Sequence, residues 1–358
     1  MKDTSPTIAA LTPQRLTTAL TEHSPGVAVR TVEIIETSTY GAGTVSTADR
    51  VTLGLEYVAG RDGGLPPRML LKTFIDEPHA PHVMYRTEAR FYATVRPELG
   101  IETPRAFGSI NDEEAGRFGV LLEDLSLRDA RFPNATTPIT LDEISSLVVS
   151  LAELHARYWA SPRFGGDLDW VATPRSGGMS KTFNAIGLEL VRDQLRHEFK
   201  AELVAPLGRS AEALWESLWR LQAIIDSEPA TLLHGDPHIG NTYILPSGRG
   251  GFIDWQLLVR GRWAHDVTYL LITGLNTEQR RAHERELIAM YRDELQRRGV
   301  DAPSDDEAWL LYRQAAVWGL VIGWLITPPL NYGEDITAAN LSRLVTAVRD
   351  LESFAALD

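Results

Sequence analysis

The sequence predicts an α+β chain, with a small antiparallel sheet first and a larger helical part after it. Three observations carry that reading. Apolar and polar residues alternate through much of the first ~120 residues, as half-buried strands do. After Leu125 the apolar residues recur at helical spacing. Two capping boxes, Thr140-Leu141-Asp142-Glu143 and Ser304-Asp305-Asp306-Glu307, announce helices, and both lie in the later part. The change in texture predicts one domain over 1–122 and a second over 123–358.

In chain order, Thr12-Pro13 opens a short helix with proline in its first turn and Leu16, Ala19 and Leu20 on one face. Val32–Ile35, Val51–Tyr57 and Met69–Phe74 read as strands, and Gly60–Pro67 as a turn. His82–Val95 reads as a helix, and Phe107–Ile110 with Phe118–Leu122 as a second strand pair. The Thr140 capping box leads Ile144, Leu147, Val148, Leu151, Leu154 and Tyr158 along one helical face. Further helices are expected over Lys181–Val204 and Ser210–Ile225. Thr231–Leu233 is a short strand, Thr242–Leu245 and Gly251–Asp254 form a hairpin, and three more helices follow. Most of Trp159, Trp215, Trp219, Trp309, Trp318 and Trp324 are expected in the core of this part.

Composition narrows the function. The chain has 358 residues, no cysteine and a net charge of −13. Without cysteine there is no disulfide, thiolate metal site or thiol nucleophile, which fits a cytoplasmic protein. The acidic balance argues against general nucleic-acid binding. No apolar run reaches the ~18 residues that span a bilayer, so no membrane association is expected, and no obligate protein partner is evident. Ala315–Leu325, the longest candidate, reads as a buried helix.

The chemistry concentrates in Leu233-His234-Gly235-Asp236-Pro237-His238-Ile239-Gly240-Asn241 and the following Phe252-Ile253-Asp254-Trp255-Gln256. An H-x-D-x-x-x-x-N loop followed by a strand ending in a second Asp is the layout of a phosphoryl-transfer loop with its metal-binding partner. Asp236 is the candidate base that takes a proton from an acceptor hydroxyl. Asn241 and Asp254 are candidate Mg²⁺ ligands, hard oxygen donors completed by phosphates and water. His234 suits a loop-shaping role, and His238 could face a phosphate, a substrate or solvent. Asp266 could bond back to the loop amides. His234, Asp236 and His238 also leave a metal-dependent hydrolase open as another reading, although such sites usually draw on further histidines and only His265 and His283 follow; a nucleotide-binding module without catalysis is a third.

Nucleotide-handling residues are expected earlier. Lys72, inside an apolar strand, needs a partner, and Glu88 on the next helix is the obvious one; together they would hold the α- and β-phosphates of ATP. The alternative is a solvent-facing strand-edge lysine and a surface glutamate. Gly41, Gly43 and Thr44 could fold over phosphates through backbone N–H groups, or form a plain hairpin turn. Glu123, Asp124 and Leu125 could offer backbone groups to an adenine ring, or simply end a strand and cap a helix. No Walker A pattern is present, and neither a long activation loop nor an A-P-E segment follows Asp254, which disfavours a protein substrate.

These segments, with Glu88-Ala89-Arg90-Phe91-Tyr92 and Leu151-Ala152-Glu153-Leu154-His155-Ala156, resemble the aminoglycoside phosphotransferase and choline kinase superfamily, nearest its ecdysteroid kinase-like branch and bacterial relatives. The resemblance runs from residue ~40 to ~295 and is most specific at the loop and hairpin. It implies a protein-kinase-like two-lobed fold and an ATP- and Mg²⁺-dependent kinase acting on a hydroxyl of a small molecule: aminoglycoside-like, an amino alcohol, or a steroid or other apolar alcohol. It also implies Asp236 as catalytic, Asn241 and Asp254 as metal ligands, and Lys72 with Glu88 as the nucleotide ion pair.

Overall fold

The computed structural model describes residues 6–38, 48–75, 80–112 and 117–358. They form two compact units, one of residues 1–99 and 103–130, the other of 100–102 and 131–358. Gly41, Gly43 and Thr44 lie outside the described residues.

In the first unit, α1 (Pro6–Ala9) and α2 (Pro13–Thr21) precede β1 (Val29–Ser38), β2 (Asp49–Tyr57) and β3 (Arg68–Thr73); α3 (His82–Arg90) then leads to β4 (Ala106–Asp112) and β5 (Arg117–Glu123). Thr12 caps α2, its hydroxyl accepting the Arg15 N–H. The five strands make one sheet in the order β1-β2-β3-β5-β4, every pair antiparallel. Inward residues of β2, β3 and β5 (Val51, Leu53, Met69, Leu71, Leu121) join Leu16 and Leu20 of α2 in a buried cluster. A side chain at Gly108 would strike the Ala19 carbonyl at 2.3 Å, so glycine lets α2 lie close on β4. The helix expected over 82–95 changes winding at Phe91, where a π-helical turn runs to Val95.

The second unit is helical: α4 (Leu141–Tyr158), α5 (Gly177–Gln194), α6 (Glu198–Val204), α7 (Ala211–Ile225), α8 (Ala264–Gly274), α9 (Thr277–Arg297), α10 (Asp305–Trp318), α11 (Glu334–Asp350) and α12 (Ser353–Ala356). Both capping boxes form, at Thr140–Glu143 and Ser304–Glu307, and a third at Asn276–Gln279 starts α9. Two short antiparallel pairs interrupt the helices, β6 (Thr231–Leu233) with β9 (Val259–Gly261) and the hairpin β7 (Thr242–Ile244) with β8 (Gly250–Phe252).

Three expectations are corrected here. The single helix over 181–204 is two, broken at 195–197. Just past the break, fully buried Lys200 donates to Gln194 Oε1 (2.8 Å) and to the carbonyls of Leu325 (2.9 Å) and Thr327 (2.6 Å). Those partners are more than a hundred residues away for the carbonyls, so the break has a tertiary origin that helical spacing does not record. Four helices and a short fifth follow the hairpin rather than three, and α10 passes into a π-helical turn, Gly319–Leu325. Of the six tryptophans expected mostly in the core, Trp318 and Trp324 are buried, while Trp159, Trp215, Trp219 and Trp309 are half-buried.

Candidate active site

The turn after β6 is built from backbone outward. Gly235 sits at φ +86°, and a Cβ there would lie 1.9 Å from the Leu257 carbonyl oxygen, so both conformation and space demand glycine. Asp266, in the first turn of α8 and fully buried, accepts the N–H groups of His234 (2.7 Å) and Gly235 (3.0 Å). His155 of α4 donates Nε2–H to the same carboxylate at 3.2 Å, while its Nδ1 shares a hydrogen bond with the Tyr291 hydroxyl at 2.8 Å. His265 Nε2 bonds the Gly235 carbonyl at 2.8 Å. Burial pushes Asp266 upward, but the His155 hydrogen bond and the neighbouring imidazoles outweigh it and hold the carboxyl below its ordinary value. His234 shapes the turn: Nδ1 accepts the Asp236 N–H (3.2 Å) and Nε2 donates to the Ile253 carbonyl (2.9 Å). Those two contacts fix one neutral tautomer.

Asp236 emerges from this frame half-buried. The Asn241 amide donates to its carbonyl (2.9 Å) and to Oδ2 (3.1 Å). Two acceptors on Nδ2 orient the amide and direct Oδ1 the other way. The Ile253 N–H donates to the Asn241 carbonyl at 2.9 Å, which brings the segment after β8 beside the turn. Asp254 follows it, two residues past the strand rather than at its end, at φ +66°, a conformation that side chains other than glycine seldom adopt. Burial raises Asp236 well above the ordinary carboxylate range, and the negative charge of Asp254 raises it further; the Asn241 hydrogen bond pulls the other way, and Asp266 adds to the rise. Asp236, Asn241 and Asp254 carry hard-oxygen donors, the kind that a divalent cation takes.

His238 is 3% exposed. The solvent-facing alternative for it is therefore wrong. Its ring lies among those of Tyr269, Trp324 and Tyr332, apolar rings supplied by α8 and by the chain after α10. Its Nδ1 caps the 3₁₀ turn Ile239–Asn241 by accepting the Gly240 N–H at 3.1 Å. Burial lowers its pKa to about 3, against the pull of Asp254 and with that of His234. Thr273 Oγ1 accepts the Ile239 N–H (3.1 Å), pinning the turn to α8. With His234 and His238 nitrogens engaged in this way, no group of three or more His, Asp or Glu among the described residues is arranged to hold a metal ion.

In the first unit, Lys72 of β3 meets Glu88 of α3 at 2.9 and 2.8 Å to the two carboxylate oxygens. Both are buried, so the solvent-facing alternative fails. Asp124 ends the sheet by accepting from Arg68 Nε (2.6 Å) and from the N–H and hydroxyl of Ser126 (3.0 and 2.6 Å). It thereby caps the 3₁₀ turn that contains buried Leu125. The Glu123 N–H goes to the Arg105 carbonyl at 2.8 Å. The Glu123 carboxylate accepts the Arg105 N–H (3.3 Å) and lies 3.5 Å from Arg128, so the side chains of Glu123 and Asp124 are spent on local structure; a role in adenine binding would fall to the remaining backbone groups.

Several frame residues escaped sequence reading. His155 lies on the apolar face of α4, where a histidine looks like core. Tyr291, Thr273 and Tyr332 lie 136, 34 and 94 residues from the groups they meet, and only the folded chain pairs them.

A family model described as the phosphotransferase enzyme family matches residues 50–309. No curated protein sequence matches the chain. Among solved structures, Plasmodium vivax ethanolamine kinase is similar at 12% identity and a TM-score of 0.53, covering 91% of this chain and 83% of that one. A spectinomycin phosphotransferase in complex with ADP and spectinomycin is similar at 12% identity and a TM-score of 0.49, over 96% and 99% of the two chains. A type I macrolide 2′-phosphotransferase is similar at 16% identity and a TM-score of 0.46, over 92% and 96%. The first of these likenesses establishes the kinase-like fold and nothing further.

Proposed function

We propose, since this chain belongs to the phosphotransferase enzyme family, that it transfers the γ-phosphoryl group of ATP to a hydroxyl of a small molecule. The observation that supports the reading is that Asp236 and Asn241 are hydrogen-bonded within one turn and that Ile253, the neighbour of Asp254, is bonded to the Asn241 carbonyl beside it. Asp236 accepts the proton of the acceptor hydroxyl as phosphoryl transfer proceeds. Asn241 and Asp254 would hold Mg²⁺, which, when bound, neutralises charge on the phosphates. Lys72, oriented by Glu88, is assigned to the α- and β-phosphates. The buried frame around Asp266 keeps the turn in shape, so little reorganisation is left for the reacting state.

The acceptor is proposed as a small-molecule alcohol of the aminoglycoside-like, amino-alcohol or apolar class. The names of the similar structures span ethanolamine, spectinomycin and macrolide acceptors, and they do not choose among these classes for this chain. A nucleotide-binding module without catalysis is the weaker reading, because Lys72, Asp236, Asn241 and Asp254 are all present.

The test is ATP consumption across a panel of aminoglycosides, amino alcohols, nucleosides, macrolides and sterols. Asp236→Asn should abolish transfer and leave nucleotide binding largely intact; retained turnover in a discontinuous phosphate-transfer assay would refute the base assignment. Asp254→Ala should remove Mg²⁺-dependent nucleotide binding. Unchanged calorimetric affinity for Mg-ATP would count against that ligand.

A further inference from the structure

The chain between the π-helical turn and α11 is tied at both ends. Lys200 holds its start through the Leu325 and Thr327 carbonyls. Near its end the Tyr332 oxygen stands 3.3 Å from His238 Nε2. The half-buried Tyr332 ring also lies against Trp324, 4.8 Å between centroids, and crosses the His238 ring at 82° and 5.5 Å.

The direction of the Tyr332 contact follows from the other side of the imidazole. Nδ1 accepts the Gly240 N–H, so Nδ1 carries no proton. A neutral ring then bears its proton on Nε2, and Nε2–H donates to the Tyr332 oxygen. His238 is thus fixed at two points: one inside the turn that carries Asp236 and Asn241, the other on a residue 94 positions later. Without the second point the ring keeps its cap on Gly240 but loses the bond that sets its rotation. Asp236 lies two residues before that ring, so a rotated ring displaces the base.

We propose that Tyr332 is a positioning residue for phosphoryl transfer, acting through His238 to hold the turn between Asp236 and Asn241. The proposal rests on the phosphotransfer reading above, and its test has one arm that needs no turnover. In ¹⁵N-histidine-labelled protein, with the signals assigned by loss in His238→Asn, His238 should show an unprotonated Nδ1 and a protonated Nε2. Tyr332→Phe, which keeps the ring and deletes the oxygen, should move the Nε2 resonance and leave Nδ1 unprotonated. A proton on Nδ1, or an Nε2 resonance indifferent to Tyr332→Phe, overturns the proposal whether or not the chain is a kinase.

The second arm is kinetic, read with Mg-ATP and the best acceptor of the panel, or with water as acceptor through ATP hydrolysis. Tyr332→Phe should lower kcat about threefold to tenfold, the range expected for one lost hydrogen bond, with KM for Mg-ATP within about twofold. In a His238→Asn background, where Asn can still cap Gly240 but cannot reach Tyr332, Tyr332→Phe should have no further effect. Additive losses, or an equal rise in KM with kcat unchanged, overturn the positioning role. Failure of Asp236→Asn to affect transfer would instead strike the phosphotransfer reading and leave the resonance arm standing.

Discussion

Two regions carry the candidate chemistry, and they are held in different ways. In the sheet-bearing unit, Lys72 and Glu88 form a buried pair of opposite charges, each the other's evident counter-charge. In the helical unit, Asp266 gathers two backbone N–H groups and an imidazole, and that imidazole is backed by a tyrosine. A paired charge in a dry place contributes little net stability, because desolvation offsets attraction. A carboxylate that also satisfies backbone donors cannot be replaced by an apolar group, since the donors stay behind. The first region is therefore kept for what its charge does, and the second also for what it builds.

The largest expected effects test the second region. Gly235→Ala must move either the turn or the Leu257 carbonyl that a Cβ would meet at 1.9 Å, and should cost about 4 kcal/mol or more. Asp266→Ala strands two amides and the His155 Nε2–H and should cost about 3–5 kcal/mol by denaturant unfolding. Replacing His155 by leucine in the same chain should not restore the loss, because the two amides remain unpaired. A double variant as stable as the parent would show that the Asp266 frame is an ordinary ion pair.

The first region should behave in the opposite way. Lys72→Met leaves Glu88 buried beside an apolar chain and should cost about 3 kcal/mol. Adding Glu88→Leu should recover that stability to within about 1 kcal/mol of the parent, while Mg-ATP turnover stays lost. If the double variant remains as unstable as Lys72→Met, the pair is a structural element, and the contrast between the regions disappears.

The same contrast explains what could be read from the sequence. Strands, capping boxes and the H-x-D-x-x-x-x-N loop are local patterns: alternation places Leu53 and Leu71 inward, and Thr140 with Glu143 closes a helix start four residues long. Lys72 and Glu88 were legible because an ammonium inside an apolar strand demands a nearby acid. The frame behind Asp236 was not legible. His155, Tyr291 and Tyr332 are ordinary residues of helical or loop segments until the fold brings them to the turn, and no spacing rule joins residues 136 positions apart. The break before Lys200 has the same origin, a buried ammonium answered by carbonyls of a distant π-helical turn.

The smallest effect is the most pointed, because two acids of one turn should titrate with opposite consequences. Asp266 is held below its ordinary value, so its contribution to stability is present above about pH 4 and is lost as pH falls through its folded-state pKa. Asp236 is raised well above its ordinary value, so the folded protein prefers it protonated; that contribution is present at low pH and is lost as pH rises through the raised pKa. Once ionised and without metal, Asp236 is thus a strained charge facing Asp254, as functional carboxylates often are. Above that raised pKa, Asp236→Asn should therefore stabilise the metal-free protein by about 1 kcal/mol, a rise in Tm of a few degrees. The gain should shrink as pH falls and the parent carboxyl takes up its proton, and also when Mg-ATP is added and the parent gains the cation its carboxylates call for. Scanning calorimetry of parent and variant across pH, with and without Mg-ATP, reads this directly. A variant that is no more stable than the parent at any pH of the scan would mean that Asp236 is not under charge repulsion from Asp254, and would remove the electrostatic ground for a cation at that turn.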